Sequence, residues 1–275
     1  MHTTPSRLAL LTLLSLCGLN LPATEKIIFK DDFTGAKAEP ETVSIRSETS
    51  WHGFAKSGGR LPSVKKVDTE AFAGTVLEFS AQGQHTLIAG AFPAVELKKE
   101  GDFIQVSLDY RYLYPLKNPT PAFVVGLHDS RGIPVARGNL RRDLEPGAAG
   151  SNHVGYRLAK LPLETTEDLQ VDLATGLGAT FSLKKIASGD SGQKLDSRGM
   201  HTIVMKITLL ADGNLAFDYS VNGAVRKFAT TDSVQVGATR FDEISICPLG
   251  RGFDRGPAHN YYIQTTNVRV IHGAQ

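Results

Sequence analysis

Glu243, Ser245 and Cys247 stand at alternate positions in the stretch FDEISIC. Alternate residues of a β-strand point to the same face, so this spacing places the three side chains next to one another. A strand with acids at these positions supplies the two carboxyl groups, about 5 Å apart, that a retaining glycosidase needs. Here one carboxylate is present, and a cysteine thiol does not replace a carboxylic acid. We therefore interpret the stretch as an ordinary strand near the end of the chain, with Ile244 and Ile246 facing the core.

A second group of reactive side chains lies in the stretch NHVGYRL. β-Elimination next to a uronate needs a cation that neutralises the carboxylate, a base and an acid, and Arg, His and Tyr often take these roles. His153, Tyr156 and Arg157 offer all three types, and His128 is a further candidate. In a strand, however, His153 and Arg157 share one face and Tyr156 lies on the other. A polysaccharide lyase that uses these four residues in catalysis is an alternative to a protein without catalytic residues.

Aromatic side chains next to planar polar groups favour sugar binding without catalysis. Aromatic rings stack on the C–H faces of sugars, while Arg, Asn and Asp form hydrogen bonds with the hydroxyl groups. Trp51 is the only tryptophan, and it precedes a glycine-rich segment. The loop GRGFDRGPAHNYY is the second candidate for a ligand contact. We predict ligand-binding roles for Trp51, Arg251, Phe253, Arg255, His259 and Tyr261.

Asp31 and Asp32 are the best candidates for a metal site. Calcium is bound by several oxygen ligands, and a pair of adjacent carboxylates can provide part of such a set. Paired acids at the start of a strand are otherwise simply exposed. The sequence predicts no cofactor, with a structural calcium ion at these two aspartates as the alternative.

The start of the chain has the features of a secretory signal. Arg7 precedes the apolar run Leu8–Leu21, and the small residue Ala23 follows soon after. The run is short and interrupted by Gly and Asn, which disfavours a membrane span. We expect cleavage after Ala23, a mature chain of residues 24–275 that forms one domain, and a secreted, periplasmic or cell-envelope location.

Charge and cysteine content limit the function further. The chain has 30 Lys and Arg residues against 28 Asp and Glu residues, so no strong net field would attract nucleic acid or a membrane surface. Signal cleavage would remove Cys17 and leave Cys247 as the single cysteine. We therefore expect neither an intramolecular disulfide nor a cysteine-based zinc site.

Alternation of apolar and polar residues runs through most of the remaining sequence and is typical of strands with one buried face. Residues Met200–Phe228 predict a three-stranded meander, with Asn222-Gly223 as a hairpin turn. Helical patterns are scarce, and only Glu164–Leu177 could hold a short helical turn. Further strands are predicted at Lys26–Phe29, Thr75–Ser80, His85–Phe92, Ile104–Tyr114, Ala122–His128, His153–Leu161, Phe241–Ile246 and Tyr261–Ile271. Many strands with little helix indicate an all-β sandwich.

Both ends of this strand series resemble a known family. The segment IIFKDDFTG resembles the opening strand of concanavalin A-like (laminin-G-like) jelly-roll modules in exported bacterial proteins. RGMHTIVMKITLLADGNLAFDYSVNG is similar to their central hairpin, and FDEISI with YYIQTTNVRV is similar to their closing pair of strands. The Asp that commonly precedes the final Asn-Val is absent here, where Thr266 precedes Asn267.

The resemblance implies a single concanavalin A-like antiparallel β-sandwich. This fold hosts lectins, glycosidases, lyases and adhesion modules, so the fold does not decide the function. We expect an exported, non-catalytic module that binds or associates with an extracellular polysaccharide or glycan. The alternatives are a polysaccharide lyase or glycoside hydrolase with a divergent site, and a structural module of the cell envelope.

Overall fold

A computed structural model describes residues 24–39, 44–55, 62–69, 72–80, 86–113, 122–132, 153–160, 169–175, 182–190, 199–229, 238–249 and 262–274. The predicted signal segment, residues 1–23, lies outside these ranges, so cleavage and export stay predictions. Within the described ranges all regular structure is β-strand, and none of them contains a helix long and apolar enough to cross a membrane.

The strands are numbered in chain order. Their bounds are β1 (Thr24–Asp31), β2 (Lys37–Glu39), β3 (Ser44–Arg46), β4 (Ser50–Ala55), β5 (Ser63–Thr69), β6 (Phe72–Ser80), β7 (Thr86–Glu96), β8 (Phe103–Tyr112), β9 (Ala122–Asp129), β10 (Val154–Lys160), β11 (Leu169–Thr175), β12 (Ser182–Gly189), β13 (His201–Leu209), β14 (Leu215–Val221), β15 (Ala224–Ala229), β16 (Arg240–Leu249) and β17 (Tyr262–Ala274).

These strands form two antiparallel sheets that share one core. An eight-stranded sheet has the order β15-β14-β13-β8-β17-β6-β5, and β1 pairs with the part of β17 beyond the β6 contact. A nine-stranded sheet has the order β12-β11-β10-β9-β16-β7-β4-β3-β2. Buried apolar side chains from both sheets belong to the same hydrophobic cluster. The predicted all-β antiparallel sandwich is therefore confirmed.

The meander predicted at Met200–Phe228 is present as β13, β14 and β15. Asn222 and Gly223 both have positive φ, 52° and 82°, as a tight hairpin turn requires. Alternate residues of β13 are buried, including Ile203 and Met205, while the residues between them are partly or fully exposed. The eight-stranded sheet thus has a second, solvated face in this region.

Within Glu164–Leu177, where the sequence indicated at most a short helical turn, β11 occupies Leu169–Thr175 as a strand. Its alternating apolar residues Leu169, Val171 and Leu173 are buried against the core. Burial of this face outweighs the local helical preference of the segment.

The central strands of the nine-stranded sheet are buried on both faces. Every residue of β10 is buried, and so is every residue of β9 except Asp129. One face of these strands contributes to the core between the sheets. The other face carries polar side chains that are covered as well, and it is the location of the candidate site.

A polar cluster on the nine-stranded sheet

Strand β16 confirms the predicted orientation of its residues. Ile244 and Ile246 are fully buried in the core, so Glu243, Ser245 and Cys247 point to the opposite face of the sheet. These three side chains are nevertheless between 1% and 6% exposed. The strand is thus buried on both faces. Its polar face lies beside polar residues of other strands, and the sequence alone did not predict that these residues come together.

The register of the sheet brings those neighbours together. Ser245 and Arg157 both pair across the sheet with Gly126, from the two flanking strands β16 and β10. Two residues further along β9, His128 pairs with Glu243. Arg157 also pairs with Asp172 of β11. Directly paired residues share a face, so all of these side chains lie on the same side of the sheet. We define the polar cluster as His128, His153, Arg157, Asp172, Glu243 and Ser245, all at most 3% exposed.

Two glycines make room for these side chains. A Cβ atom on Gly126 would lie 2.5 Å from His128 Nε2 and 2.7 Å from Ser245 Oγ, so both side chains lean over this glycine. A Cβ atom on Gly155 would lie 2.7 Å from His128 Nδ1 and 2.1 Å from the carbonyl oxygen of Leu127. A larger residue at either position would collide with the cluster or with the strand beneath it.

Short polar contacts join members of the cluster to one another and join Asp172 to Gln170, which lies outside it. His128 Nε2 lies 2.8 Å from Ser245 Oγ, and His153 Nδ1 lies 3.4 Å from Glu243 Oε1. Asp172 Oδ1 accepts a hydrogen bond of 2.6 Å from Gln170 Nε2. The cluster thus combines imidazole, carboxylate, hydroxyl and guanidinium groups, which together can donate and accept protons or hydrogen bonds.

Burial governs the protonation of the cluster. It lowers the pKa of His128 well below the usual value, and the charges of Arg157 and His153 add to this effect. His128 is therefore a neutral imidazole at neutral pH. Burial also lowers the pKa of the Arg157 guanidinium, against the opposing influence of Cys247 and Asp172, and it raises the pKa of the Cys247 thiol.

Tyr156 does not belong to the cluster. It lies on the core side of β10, with its ring centroid 5.0 Å from that of Phe217 and 6.3 Å from that of Phe241. Burial raises its pKa to about 12. The proposed lyase set is therefore corrected: His128, His153 and Arg157 converge, but Tyr156 is separated from them by the sheet.

Trp51 is also a core residue, which contradicts its predicted role in stacking on a sugar. Its side chain is fully buried, and its Nε1 donates a hydrogen bond of 2.8 Å to Asp31 Oδ2. The ring packs edge-on against Phe29, with centroids 5.3 Å apart. Gly90, the cross-strand partner of Trp51, leaves space for both rings, since a Cβ atom there would lie 3.1 Å from Phe29 and 3.2 Å from Trp51.

The carboxylate of Asp31 is occupied by protein donors, which argues against the predicted calcium ligand. It accepts hydrogen bonds from the backbone N–H of Phe33 and from the side chains of Ser47, Thr49 and Trp51. Asp32 instead accepts from the backbone N–H of Thr34, which lowers the pKa of Asp32. In the described ranges no three His, Cys, Asp or Glu side chains are placed to hold a metal ion.

The loop that was the second predicted ligand contact lies outside the described residues and stays a prediction. Its predicted contact residues are Arg251, Phe253, Arg255, His259 and Tyr261.

The sequence did indicate that His153 and Arg157 share a face and that Glu243 points away from the core. It gave no sign that Glu243 and His128 are cross-strand partners, because pairing between distant strands leaves no local pattern. Asp172 was missed because its segment looked weakly helical.

No protein family and no curated protein sequence matches the chain. Solved structures with a similar course of the chain include an endo-1,3-beta-glucanase from Streptomyces sioyaensis, with a TM-score of 0.48 and 11% identity over 91% of this chain and 97% of that one. The winged bean acidic lectin complexed with methyl-alpha-D-galactose has a TM-score of 0.47 and 9% identity over 82% and 99% of the two chains. A variant of the alginate lyase Aly36B in complex with an alginate tetrasaccharide has a TM-score of 0.40 and 10% identity over 91% and 97%.

Proposed function

We propose that this protein is an exported carbohydrate-binding module whose ligand site is the polar cluster on the nine-stranded sheet. The observation that carries the proposal is the convergence of six buried polar side chains over two glycines, on the face of the sheet that is turned away from the core. Sugar sites depend on a few well-placed donors and acceptors, and the cluster supplies both kinds. The resemblance of the sequence to concanavalin A-like modules favours a glycan as the ligand.

The cluster lies beside an exposed position of the nine-stranded sheet. Ala91 of β7 is the direct cross-strand partner of Glu243 on the same face, and it is exposed. His128 pairs with Glu243 from the other side, so Ala91, Glu243 and His128 follow one another across the sheet. Because the polar side chains are buried, a small substituent of a sugar suits this site better than a whole ring.

A second candidate function is acid–base chemistry on the glycan, by elimination or hydrolysis. The observation that favours it is the pairing of a neutral imidazole, His128, with a hydroxyl, beside a second imidazole that lies 3.4 Å from a carboxylate. The loss of Tyr156 from the set weakens the lyase version, because no tyrosine stands among the described residues of the cluster to act as the acid. We therefore place non-catalytic binding first.

Retention on insoluble polysaccharides tests the proposed function. We expect the wild type to be retained on at least one polysaccharide, and Glu243→Gln to weaken that retention about tenfold, as the loss of a charged hydrogen bond of about 1.4 kcal/mol implies. Glu25→Gln, at an exposed position of β1, is the matched control and should bind like the wild type. Phe253→Ala in the same assay tests the predicted loop contact.

Either of two results would contradict the proposal. The wild type could fail to be retained on every polysaccharide, or Glu243→Gln could bind as well as the wild type. The same mixtures, monitored for the ultraviolet absorbance of unsaturated uronates, test the second candidate function. Absorbance that appears with the wild type and disappears with His128→Gln would establish elimination in place of binding alone.

A further inference from the structure

Arg157 has an unusual environment in the centre of β10. Its side chain is 2% exposed, and two of its buried nitrogen atoms, Nε and Nη2, have no hydrogen-bond partner among the described residues. A buried polar group without a partner costs about 1–3 kcal/mol, and a charged group costs more. This destabilising group stands in the middle of a strand whose residues are all buried, where an apolar side chain would avoid the cost. A group of this kind in a native protein calls for a specific explanation, and a bound ligand provides one for Arg157.

The two unpartnered atoms define what would complete it. Nε–H and the adjacent N–H of Nη2 form one edge of the guanidinium plane, with two parallel donors. This edge matches the two oxygens of a carboxylate, and such bidentate pairs are among the strongest hydrogen-bonded contacts in proteins. Sulfate presents a similar pair of oxygens. A single neutral hydroxyl would satisfy only one of the two donors.

Protein charges nearby do not already fill this role. Asp172 pairs with Arg157 across β10 and β11 and exerts a favourable charge effect on it, but burial remains the larger influence on its pKa. The Cys247 thiol is protonated because burial raises its pKa, and His128 is neutral. Glu243 points its Oε1 at His153. His128 adds a further buried nitrogen without a partner, Nδ1.

We propose that Arg157 binds the anionic group of an acidic polysaccharide, a uronate carboxylate or a sulfate ester, through its Nε–Nη2 edge. This inference rests on the proposed function, which it narrows from glycans in general to acidic ones. A carboxylate is a small protruding group, and this suits a site whose side chains are at most 3% exposed.

The test measures retention on matched pairs of polysaccharides. Polygalacturonate and its methyl ester differ in methylation of the carboxyl group, which removes its charge, and dextran sulfate and dextran differ in sulfation. We expect the wild type to bind one charged member of these pairs at least about tenfold more tightly than its neutral counterpart, since a charged bidentate contact contributes more than about 1.4 kcal/mol. Binding to polygalacturonate identifies the carboxylate as the group, and binding to dextran sulfate identifies the sulfate.

Variants connect this selectivity to Arg157. Arg157→Met removes the donors and keeps an unbranched apolar stem, and Arg157→Lys keeps the charge but removes the fork. Both should lose the preference for the charged member, whereas Arg269→Met, at an exposed position of β17 in the other sheet, should keep it. Arg157→Met should also unfold at the same or a higher urea concentration than the wild type, because it removes an unsatisfied buried cation.

Failure of this inference differs from failure of the proposed function. Equal binding of charged and neutral members by the wild type, or unchanged selectivity in Arg157→Lys, overturns the inference and leaves glycan binding intact. Retention on no polysaccharide, whether charged or neutral, overturns both. If Arg157→Met does not fold, the comparison of matched polysaccharides and the Arg157→Lys variant still decide the question.

Discussion

Asp31 organises the junction between β1 and the segment that leads into β4. Its carboxylate is fully buried, yet the hydrogen bonds from Phe33, Ser47, Thr49 and Trp51 satisfy both of its oxygens. A buried carboxyl group of this kind is stable in the interior because hydrogen-bond donors replace the water that it loses. The network also fixes the indole of Trp51 in the core. The residue that looked like a metal ligand is thus a structural centre.

We predict that Asp31→Ala lowers the free energy of unfolding by about 3 kcal/mol or more. The substitution leaves the Trp51 N–H and two hydroxyl groups without their acceptor, and each buried group without a partner costs about 1–3 kcal/mol. Urea unfolding measures the change. Asp32→Ala is the neighbouring control, with an expected loss of about 1 kcal/mol or less, because its main contact is one backbone turn. Equal losses in the two variants would contradict the assigned role of Asp31.

Local sequence patterns correctly predicted which way single side chains point, but they did not predict which residues surround those side chains. The alternation in β16 correctly assigned Ile244 and Ile246 to the core and Glu243 to the other face. The position of Trp51 before a glycine-rich segment suggested an exposed ring, but its burial depends on Asp31 and on Gly90, which lie about 20 and 40 residues away in the sequence. Contacts of this range are not encoded in any short stretch.

At the scale of strands, the two sheets use their outer faces differently. In the eight-stranded sheet, polar side chains of β8 and β13 alternate with buried apolar ones and remain partly exposed. In the nine-stranded sheet, β9 and β10 are buried on both faces and carry glycines where the polar cluster lies. Glycine weakens a strand by about 0.5–1 kcal/mol, so its presence in the middle of two adjacent strands indicates a need for space.

We predict that alanine at Gly126 mainly weakens ligand binding, whereas alanine at Gly155 mainly lowers stability. Gly126→Ala places its methyl group against the ends of two side chains, which can move, so ligand binding should fall about tenfold while the free energy of unfolding stays within about 1 kcal/mol. Gly155→Ala places its methyl group against a backbone carbonyl, which is held by the ladder between β9 and β10, so the free energy of unfolding should fall by about 2 kcal/mol or more.

Urea unfolding and polysaccharide retention, measured on both variants, separate the two effects. A Gly126→Ala protein that is strongly destabilised, or a Gly155→Ala protein as stable as the wild type, would show that the glycines do not have these distinct roles.

The β13–β14–β15 meander was predicted from the sequence, whereas the edge strand β5 was not. The β13–β14–β15 meander has strong alternation and a tight turn at Asn222 and Gly223, so its geometry is local. The edge strand β5 has mostly exposed side chains, and therefore lacks the apolar alternation that identifies a strand. The site itself depends on pairing between β9, β10 and β16, which are far apart in the chain. Such register is set by the packing of the whole sandwich.

At the scale of the molecule, one apolar cluster connects the two sheets. It contains Ile244 and Leu127 of the nine-stranded sheet together with Met205 and Val106 of the eight-stranded sheet. Neither sheet can bury this face without the other, so the stability of each depends on their association. Cooperative unfolding of the described strands is the expected consequence.

Two residues that occur once in a suitable variant can report on this cooperativity. Trp51 is the only tryptophan and faces the core from β4, and Cys247 lies on the opposite face of the same sheet in β16. Cys17→Ser leaves Cys247 as the sole cysteine. Its thiol is 6% exposed and burial raises its pKa, so both access and thiolate formation are suppressed in the folded state.

We predict that Cys247 in the Cys17→Ser protein reacts with iodoacetamide only when the sandwich opens as a whole. In a urea series, the labelled fraction measured by mass spectrometry should rise at the same urea concentration at which Trp51 fluorescence changes, because the shared core couples the two faces of the nine-stranded sheet. Labelling at a clearly lower urea concentration would mean that the cover over the polar face opens while the core persists. That outcome would contradict cooperative unfolding and would separate the stability of the site from that of the fold.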